Sequence, residues 1–453
     1  MPFVQQFMHM MPEVSPPSQK WLSFKEKLKW TLIILAAFFI LGMIPLFGLG
    51  PSSLQRFELL SVILGAEFGS IISLGIGPIV TASIVLQLLN GAGIVKFDTH
   101  SPEGRKNFQG TQKLLTIFFI FFEGAIYVLM GGLSPPPELA GTGAFLTLQF
   151  VLILQMALGG VLIMFMDEVT SKWGFGSGIS LFIAAGVAKS LFIRILSPFP
   201  SEGSEVATGV IPALIQSVSS SAPPTEILIL LSGVIATVLV FCVAVYVQAM
   251  RVEIPLSFGR IRGHGIRWPL AFAYTSNIPV ILVAALIANI TLIGTLIKGK
   301  LPALSSLITT LFSPPAILQA MIKGNISLTM FGQAAFYIIF MTVGCVIFGM
   351  FWVQTAGMDS RSQAKQIMNA GLQIPGFRND PRIMEHVLDR YIGPLTIMGS
   401  IAIGLLAALA DLSGALTSGT GLLLTVMIVY RLYQDIAKQH MYDMHPTMRK
   451  FME

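Results

Sequence analysis

Apolar runs recur ten times along this chain of 453 residues. Most are close to the roughly 20 residues a helix needs to cross the hydrocarbon layer of a bilayer. They lie at about Trp30–Phe47, a broken stretch within Ser53–Val95, Leu114–Met130, Leu146–Met166, Gly178–Leu196, Ile227–Val247, Leu270–Leu292, Phe336–Val353, Ile392–Leu409 and Gly421–Leu432. Lipid offers a backbone no hydrogen-bond partner, so runs of this length are read as helices and the chain as an all-α membrane protein. Composition agrees: 54% of residues are hydrophobic and 11% charged, against roughly 25% charged in soluble domains. The first run is long enough to span and lacks a small-residue cleavage site, so it is read as a span and not as a signal peptide. Cys242 and Cys345 sit in apolar runs and read as packing residues, with neither a disulfide framework nor metal spacing.

The second run is the unusual one. Gly65, Gly69, Gly75, Gly77 and Pro78 interrupt it. Glycine brings no Cβ to pack and proline cannot donate the helical hydrogen bond. The stretch therefore reads as a short apolar helix near Leu54–Phe68, a break, and a membrane helix from about Pro78 to Leu89. Broken backbone at membrane depth survives only inside protein or beside a water-filled cavity. The break points either to a pathway through the molecule or to a re-entrant loop or Gly-rich helix contact.

Ten spans put both termini on one side. The connections on that side hold 22 of the 28 lysines and arginines, and the other side holds 6. Such a split places the termini in the cytoplasm. Residues 1–29 form a cytoplasmic N-terminus with an amphipathic piece in which Phe3, Phe7, Met8 and Met11 make a membrane-facing side, and 433–453 form a cytoplasmic tail. A polar connector, residues 197–226, separates an N-terminal half (30–196) from a C-terminal half (227–432) of five spans each. Five is odd, so the second half enters from the opposite side, which is the layout of an inverted repeat. Asn277 and Pro279 loosely echo the Gly75–Pro78 break. Two long cytoplasmic connections, Arg251–Arg267 and Met358–Arg390, are punctuated by Gly and Pro and read as loops with short helices. Their arginines suit a polyanion such as ribosomal RNA, or serve topology alone.

Enzyme signatures are missing. The sequence has no HExxH, no Walker-type phosphate loop and no G-x-S-x-G, and facing spans carry no pair of aspartates. A coupled transporter usually carries mid-membrane ionisable groups. Here Glu123 is the one clear mid-span acid, with Asp167, Glu168 and Asp411 near span ends. The spans offer instead aliphatic residues beside glycine: Ile76 and Val80, Ile179 and Ile183, Ile281, and Leu424. Each pair is four apart and shares a helix face, a pattern equally at home in an ordinary core.

Several stretches are specific to one family: FKEKLKW (24–30), LGIGPIVTASI (74–84), FQGTQKLL (108–115), MDEVTSKWGFGSGISLFIAAGV (166–187), MRVEIPLSFGRIRG (250–263), YTSNIPVILVAALIANI (274–290) and GTGLLLTVMIVYRLY (419–433). In order and over nearly the whole length, the chain resembles the SecY family, the channel subunit of the protein-conducting translocon, in its archaeal and eukaryotic branch. The resemblance implies ten transmembrane helices in two pseudo-symmetric, inverted five-helix halves that close like a clamshell, with a central pore, a plug at about 54–68 and a lateral gate to lipid. Carried over, Ile76, Val80, Ile179, Ile183, Ile281 and Leu424 match the pore ring; Thr81, Glu123 and Asn289 match polar positions of the lateral gate; and Arg251, Arg260, Arg262 and Arg378 become ribosome-facing candidates. The implied setting is the cell membrane, with SecE and a beta subunit in a heterotrimer, a ribosome, signal sequences and nascent chains as partners, no DNA and no cofactor. The rival reading is a secondary transporter with inverted repeats for a small solute; an intramembrane enzyme lacks its paired acids.

Overall fold

The computed structural model describes residues 12–18, 22–50, 67–91, 93–95, 97, 101–200, 206–220, 223–258, 265–275, 277–298, 301–369, 371–373 and 380–444. The helices that carry the spans are α1 (Phe24–Gly42), α2 (Gly77–Gly91), α3 (Pro102–Leu129), α4 (Gly143–Trp173) and α5 (Gly178–Leu196) in the first half. A short helix α6 (Val210–Ser219) lies in the connector. In the second half follow α7 (Pro224–Ala249), a hairpin of β1 (Arg251–Phe258) and β2 (Gly265–Ala271), α8 (Ile278–Ile297), and two short helices, α9 (Pro302–Phe312) and α10 (Ile317–Ile322). Then come α11 (Leu328–Thr355), α12 (Ser360–Asn369), β3 (Leu372–Gln373), α13 (Pro381–Leu412) and α14 (Gly419–Met444). Among the described residues seven helices are long and apolar enough to cross a membrane unaided: α3, α4, α5, α7, α8, α11 and α13. The lysines of α1, the 15-residue length of α2 and the polar tail of α14 set those three apart, and they complete the ten.

Both ends of the described chain meet on one face, called here the terminal face. Gln439 near the end of α14 donates to the Leu22 carbonyl at 3.0 Å, and Lys27 of α1 donates to Gln439 at 3.1 Å. Residues 12–15 run as a strap from Lys113, within α3, across the end of α4. The Val14 N–H donates to Glu168, Lys113 to the Pro12 carbonyl at 2.7 Å, and Trp173 to the Ser15 carbonyl at 3.0 Å. Lys172, hydrogen-bonded to Glu13, holds that carboxyl below the ordinary glutamate range. The amphipathic piece proposed before this strap lies outside the described residues.

The expected break is present. Residues 68–76 run as turns into α2, and Gly69 takes a left-handed φ of 88°. Its polar backbone is satisfied locally. The Leu46 N–H donates to the Gly69 carbonyl at 2.8 Å, the Ile71 N–H to Ile44 at 3.0 Å, and the Gly69 N–H to the Ser73 hydroxyl at 2.9 Å. This is how non-helical backbone is tolerated at membrane depth. The α4 backbone covers the turn so closely that a Cβ on Gly159 would lie 1.9 Å from the Ile71 carbonyl oxygen. Of the short helix expected at Leu54–Phe68, residues 54–66 lie outside the described residues, and Glu67 and Phe68 are not helical.

Several sequence boundaries move. The first span begins at Phe24 and stops at Gly42, because residues 44–46 are used to pair the break. Helices α3, α13 and α14 continue past their apolar runs as polar turns on the terminal face. Leu270 is strand, not helix, so the seventh span starts at Ile278. Pro279 interrupts nothing there: it occupies the first turn, where its missing N–H costs no bond. Eleven of the twenty residues of α8 are buried, which makes it the central helix of the second half.

The loop Arg251–Arg267 is a β-hairpin and not short helices. It pairs antiparallel from Arg251↔Ala271 to Ser257↔Gly265, and β3 adds to β1 through Ser257↔Gln373. The two arginine-bearing connections thus share one sheet, in the order β2-β1-β3. Ile254, Leu256 and Leu270 pack from the sheet onto Ile367 of α12 and Met384, Leu388 and Ile392 of α13. Tyr274 donates its hydroxyl to the Met358 carbonyl at 2.6 Å, and its burial raises the phenol above its usual range.

Candidate pore and gate

On the terminal side the two halves enclose a cavity of about 420 Å³. Its walls come from both halves: Ser83 and Gln87 on α2, Phe108 and Gln112 on α3, Trp352 on α11, and Arg431 and Asp435 on α14. Three of the six aliphatic candidates from the sequence, Val80, Ile179 and Ile281, are among the side chains that line it. The other three sequence candidates sit one helical turn further from the terminal face. Ile76 precedes Val80 by four residues, Ile183 follows Ile179 by four, and Leu424 precedes the lining residue Ile428 by four. Five of the six belong to one contiguous buried apolar cluster, and the sixth, Ile179, packs against it half-buried. Ile76, Ile183 and Leu424 are each no more than 2% exposed. Residues from four helices, α2 and α5 of one half and α8 and α14 of the other, therefore form an aliphatic floor about two turns thick. The local reason is helix start and direction. Helices α2 and α14 run toward the terminal face while α5 and α8 run away from it, so residues near the start of α2 and α5 and within the first turns of α8 and α14 reach a common depth.

Beside the floor, α2 and α3 meet α8. Asn289 donates to the Thr81 hydroxyl oxygen at 2.9 Å, and that hydroxyl lies 2.8 Å from Glu123 Oε1 and 2.9 Å from the Gly77 carbonyl. A hydroxyl has one proton, so Thr81 serves one of those two acceptors at a time. The second carboxylate oxygen of Glu123 is buried with no partner among the described residues. The three gate candidates are thus in contact, across the seam between the halves.

Polar residues that the sequence did not single out as functional line the cavity wall. Gln112 donates to Ser83 at 2.6 Å. Gln87 Oε1 and Asn277 Nδ2 are buried without partners among the described residues. The spacing Val80, Ser83, Gln87 puts these on one face of α2, a signal present in the sequence. Of the arginine candidates, Arg251 stands exposed at the start of β1. Arg260, Arg262 and Arg378 lie outside the described residues. Arg267, not among the candidates, is paired with Glu253 at 2.9 Å. Among the described residues no group of His, Cys, Asp and Glu could hold a metal ion.

Comparison with known proteins agrees with this architecture. Residues 70–433 match the SecY family. Protein translocase subunit SecY of Methanothermobacter thermautotrophicus is 42% identical over 98% of this chain and 96% of its own length. A solved structure described as "The structure of a protein conducting channel" is 39% identical, covers 97% of this chain and 98% of its own, and superposes with a TM-score of 0.82. "Sec61 in the Canine ribosome-channel complex from the endoplasmic reticulum" is likewise 39% identical, with the same coverage and a TM-score of 0.78.

Proposed function

The chain belongs to the SecY family, and from that premise we propose how it conducts. It is the pore-forming subunit of the Sec protein-conducting channel. It moves unfolded polypeptide across the membrane and releases signal sequences and transmembrane segments sideways into lipid. The supporting observation is the aliphatic floor built from both halves. Ile76, Val80, Ile179, Ile183, Ile281 and Leu424 form the pore ring. Aliphatic side chains coordinate no ion, and a neck lined by them closes by expelling water. A passing chain meets no charge there, so polypeptides of any sequence can slide. A small-solute transporter would need polar or charged groups lining the path itself at that depth; Thr81, Glu123 and Asn289 do not line the cavity but meet in the seam beside it, and Arg431 and Asp435 stand about one and two turns above Ile428, on the terminal side. Thr81, Glu123 and Asn289 form the lateral gate, and residues around 54–68 the plug.

The terminal face is cytoplasmic, on the strength of the lysine and arginine split, and the membrane is the cell membrane. The drive comes from outside the chain, which acts as no enzyme. A ribosome docks at the sheet platform through Arg251, Arg260, Arg262 and Arg378, and SecE and a beta subunit complete the complex in the membrane. The buried contacts of β1 and β2 with α12 and α13 support this docking role, because they anchor the strand that carries Arg251.

A stalled nascent chain carrying one cysteine tests the pore directly. Against the Val80→Cys variant it should form a disulfide under oxidation, and the same chain against a cysteine on the lipid-facing side of α7, at Leu239, should not. Equal crosslinking at both places, or none at Val80, overturns the reading. For the platform, Arg260→Glu with Arg378→Glu should weaken ribosome binding and flatten its salt dependence by about one unit of slope per arginine. Unaltered binding at physiological salt returns those loops to topology signals.

A further inference from the structure

The two helices that begin beside the ring, α5 and α14, start in the same way and approach it from opposite directions. Each opens on a glycine, Gly178 and Gly419. In each, the N–H of the second residue is accepted by an aspartate of the preceding span. Asp167 of α4 accepts from Ile179 N–H at 3.0 Å and from the Ser177 hydroxyl at 3.4 Å. Asp411 of α13 accepts from Thr420 N–H at 2.7 Å with one oxygen, and with the other from the Thr420 hydroxyl and from Tyr337 at 2.7 Å. The glycines are required by the closeness of the two backbones. A Cβ on Gly178 would lie 2.7 Å from Asp167 Cα, and one on Gly419 would lie 2.0 Å from the Ala410 carbonyl carbon. The correspondence extends into the pore. Four residues after the capped Ile179 comes Ile183, and four residues after the capped Thr420 comes Leu424, each on the capped residue's own helix face.

We propose that Asp167 and Asp411 are positioning residues of the seal. Each is a carboxylate bridge that fixes the height and rotation of one ring-bearing helix, and the inverted halves apply the bridge once from each side. The physical ground is twofold. The first N–H groups of a helix have no partner within it, and a carboxylate there both satisfies one and meets the positive end of the helix dipole. Tied to the preceding span, the bridge leaves α5 and α14 little freedom to rise or turn. Neither aspartate touches the polypeptide path; each acts through the side chains one turn beyond it. This inference rests on the ring reading above.

The test is ion conductance of the reconstituted full complex without substrate, with thermal melting as control for assembly. Asp167→Ala and Asp411→Ala should leak several-fold more than native protein. Asp→Asn at either site keeps an acceptor oxygen and should restore most of the seal. Asp167→Glu keeps the charge but lengthens the bridge by a methylene, and it should leak despite assembling and melting like native protein. Combined with Ile183→Gly, the alanine changes should add less leak than they cause alone, because ring and bridge act on the same constriction. Variants that assemble and seal like native protein, or leaks that simply add, overturn the proposal. If the alanine variants fail to assemble, Asp167→Glu and the Asn changes decide by the same readout. Should Ile183→Gly itself seal normally, the ring reading fails; should it leak while Asp167→Glu and the alanine variants seal, only the bridges fail.

Discussion

The proposed waist of the pore and the proposed gate seam beside it lie within a turn of each other on α2, yet opposite kinds of contact hold them. Val80 belongs to the waist and Thr81 to the seam, adjacent residues pointing to different places. The waist is aliphatic and non-directional: what matters there is volume and the absence of a polar group for water to bind. The seam is directional, since Asn289, Thr81 and Glu123 close it by hydrogen bonds whose geometry must be met. A seal against ions must hold constantly, and burial of apolar surface supplies it without regard to sequence passing through. A gate must open for a greasy segment, and polar bonds between membrane helices, averaging about 0.6 kcal/mol each, are weak enough to be exchanged. The two regions therefore predict different sensitivities to substitution.

The largest effect should come from giving the waist polarity and space. Replacing Ile179 and Ile183 together by Ser shortens two ring side chains and adds hydroxyls that hold water. The closed channel should then conduct ions many-fold above native when reconstituted without substrate. A tight seal in that variant would erase the distinction between waist and seam.

Next in size is Thr81→Val, nearly isosteric but without the hydroxyl. It removes the bonds to both Asn289 and Glu123, about 1 kcal/mol in all, and leaves the Glu123 carboxyl with neither oxygen partnered. The closed-to-open ratio of the gate should fall roughly fivefold. The readout is translocation of substrates with weakened signal sequences, which should rise, while substrate-free conductance rises far less than in the Ile179/Ile183 variant. A leak as large as that one would mean that seam and waist are a single device.

How far the sequence disclosed these regions follows from the physics of each. Hydropathy located the spans because it measures the requirement of the bilayer, but it stopped at the bilayer. The polar turns that extend α3, α13 and α14 have no such signature. The break at Gly75–Pro78 was legible because glycine and proline act locally. The hairpin was not, although Val252, Ile254 and Leu256 alternate with exposed Arg251, Glu253 and Pro255. Pro255 and Pro269 argue against strands, and the arginines drew attention to charge. The proposed ring residues are beyond any single-chain reading, since an aliphatic facing a pore and one facing lipid look alike until helices from both halves are brought together; the resemblance proposed them, and the structure gathers them around one floor. Asp167 and Asp411 were visible as acids at span ends, but the partners the two share, the N–H groups of Ile179 and Thr420, are backbone groups that carry no mark in a sequence.

The smallest predicted effect is the one that separates the two closures most sharply. Ile281→Leu keeps the volume of a ring side chain and changes only its branching. Volume-conserving apolar swaps in packed interiors usually cost less than about 1.5 kcal/mol. Since the waist closes by excluding water and not by a bonded geometry, substrate-free conductance should stay within twofold of native. The matching conservative change at the seam, Asn289→Asp, also keeps volume. It replaces the amide that donates to Thr81 with an acceptor facing another carboxylate, so gate closure should suffer visibly in the weak-signal assay. If both swaps are silent, the polar contacts of the seam contribute nothing that apolar packing would not, and the gate is held by burial alone.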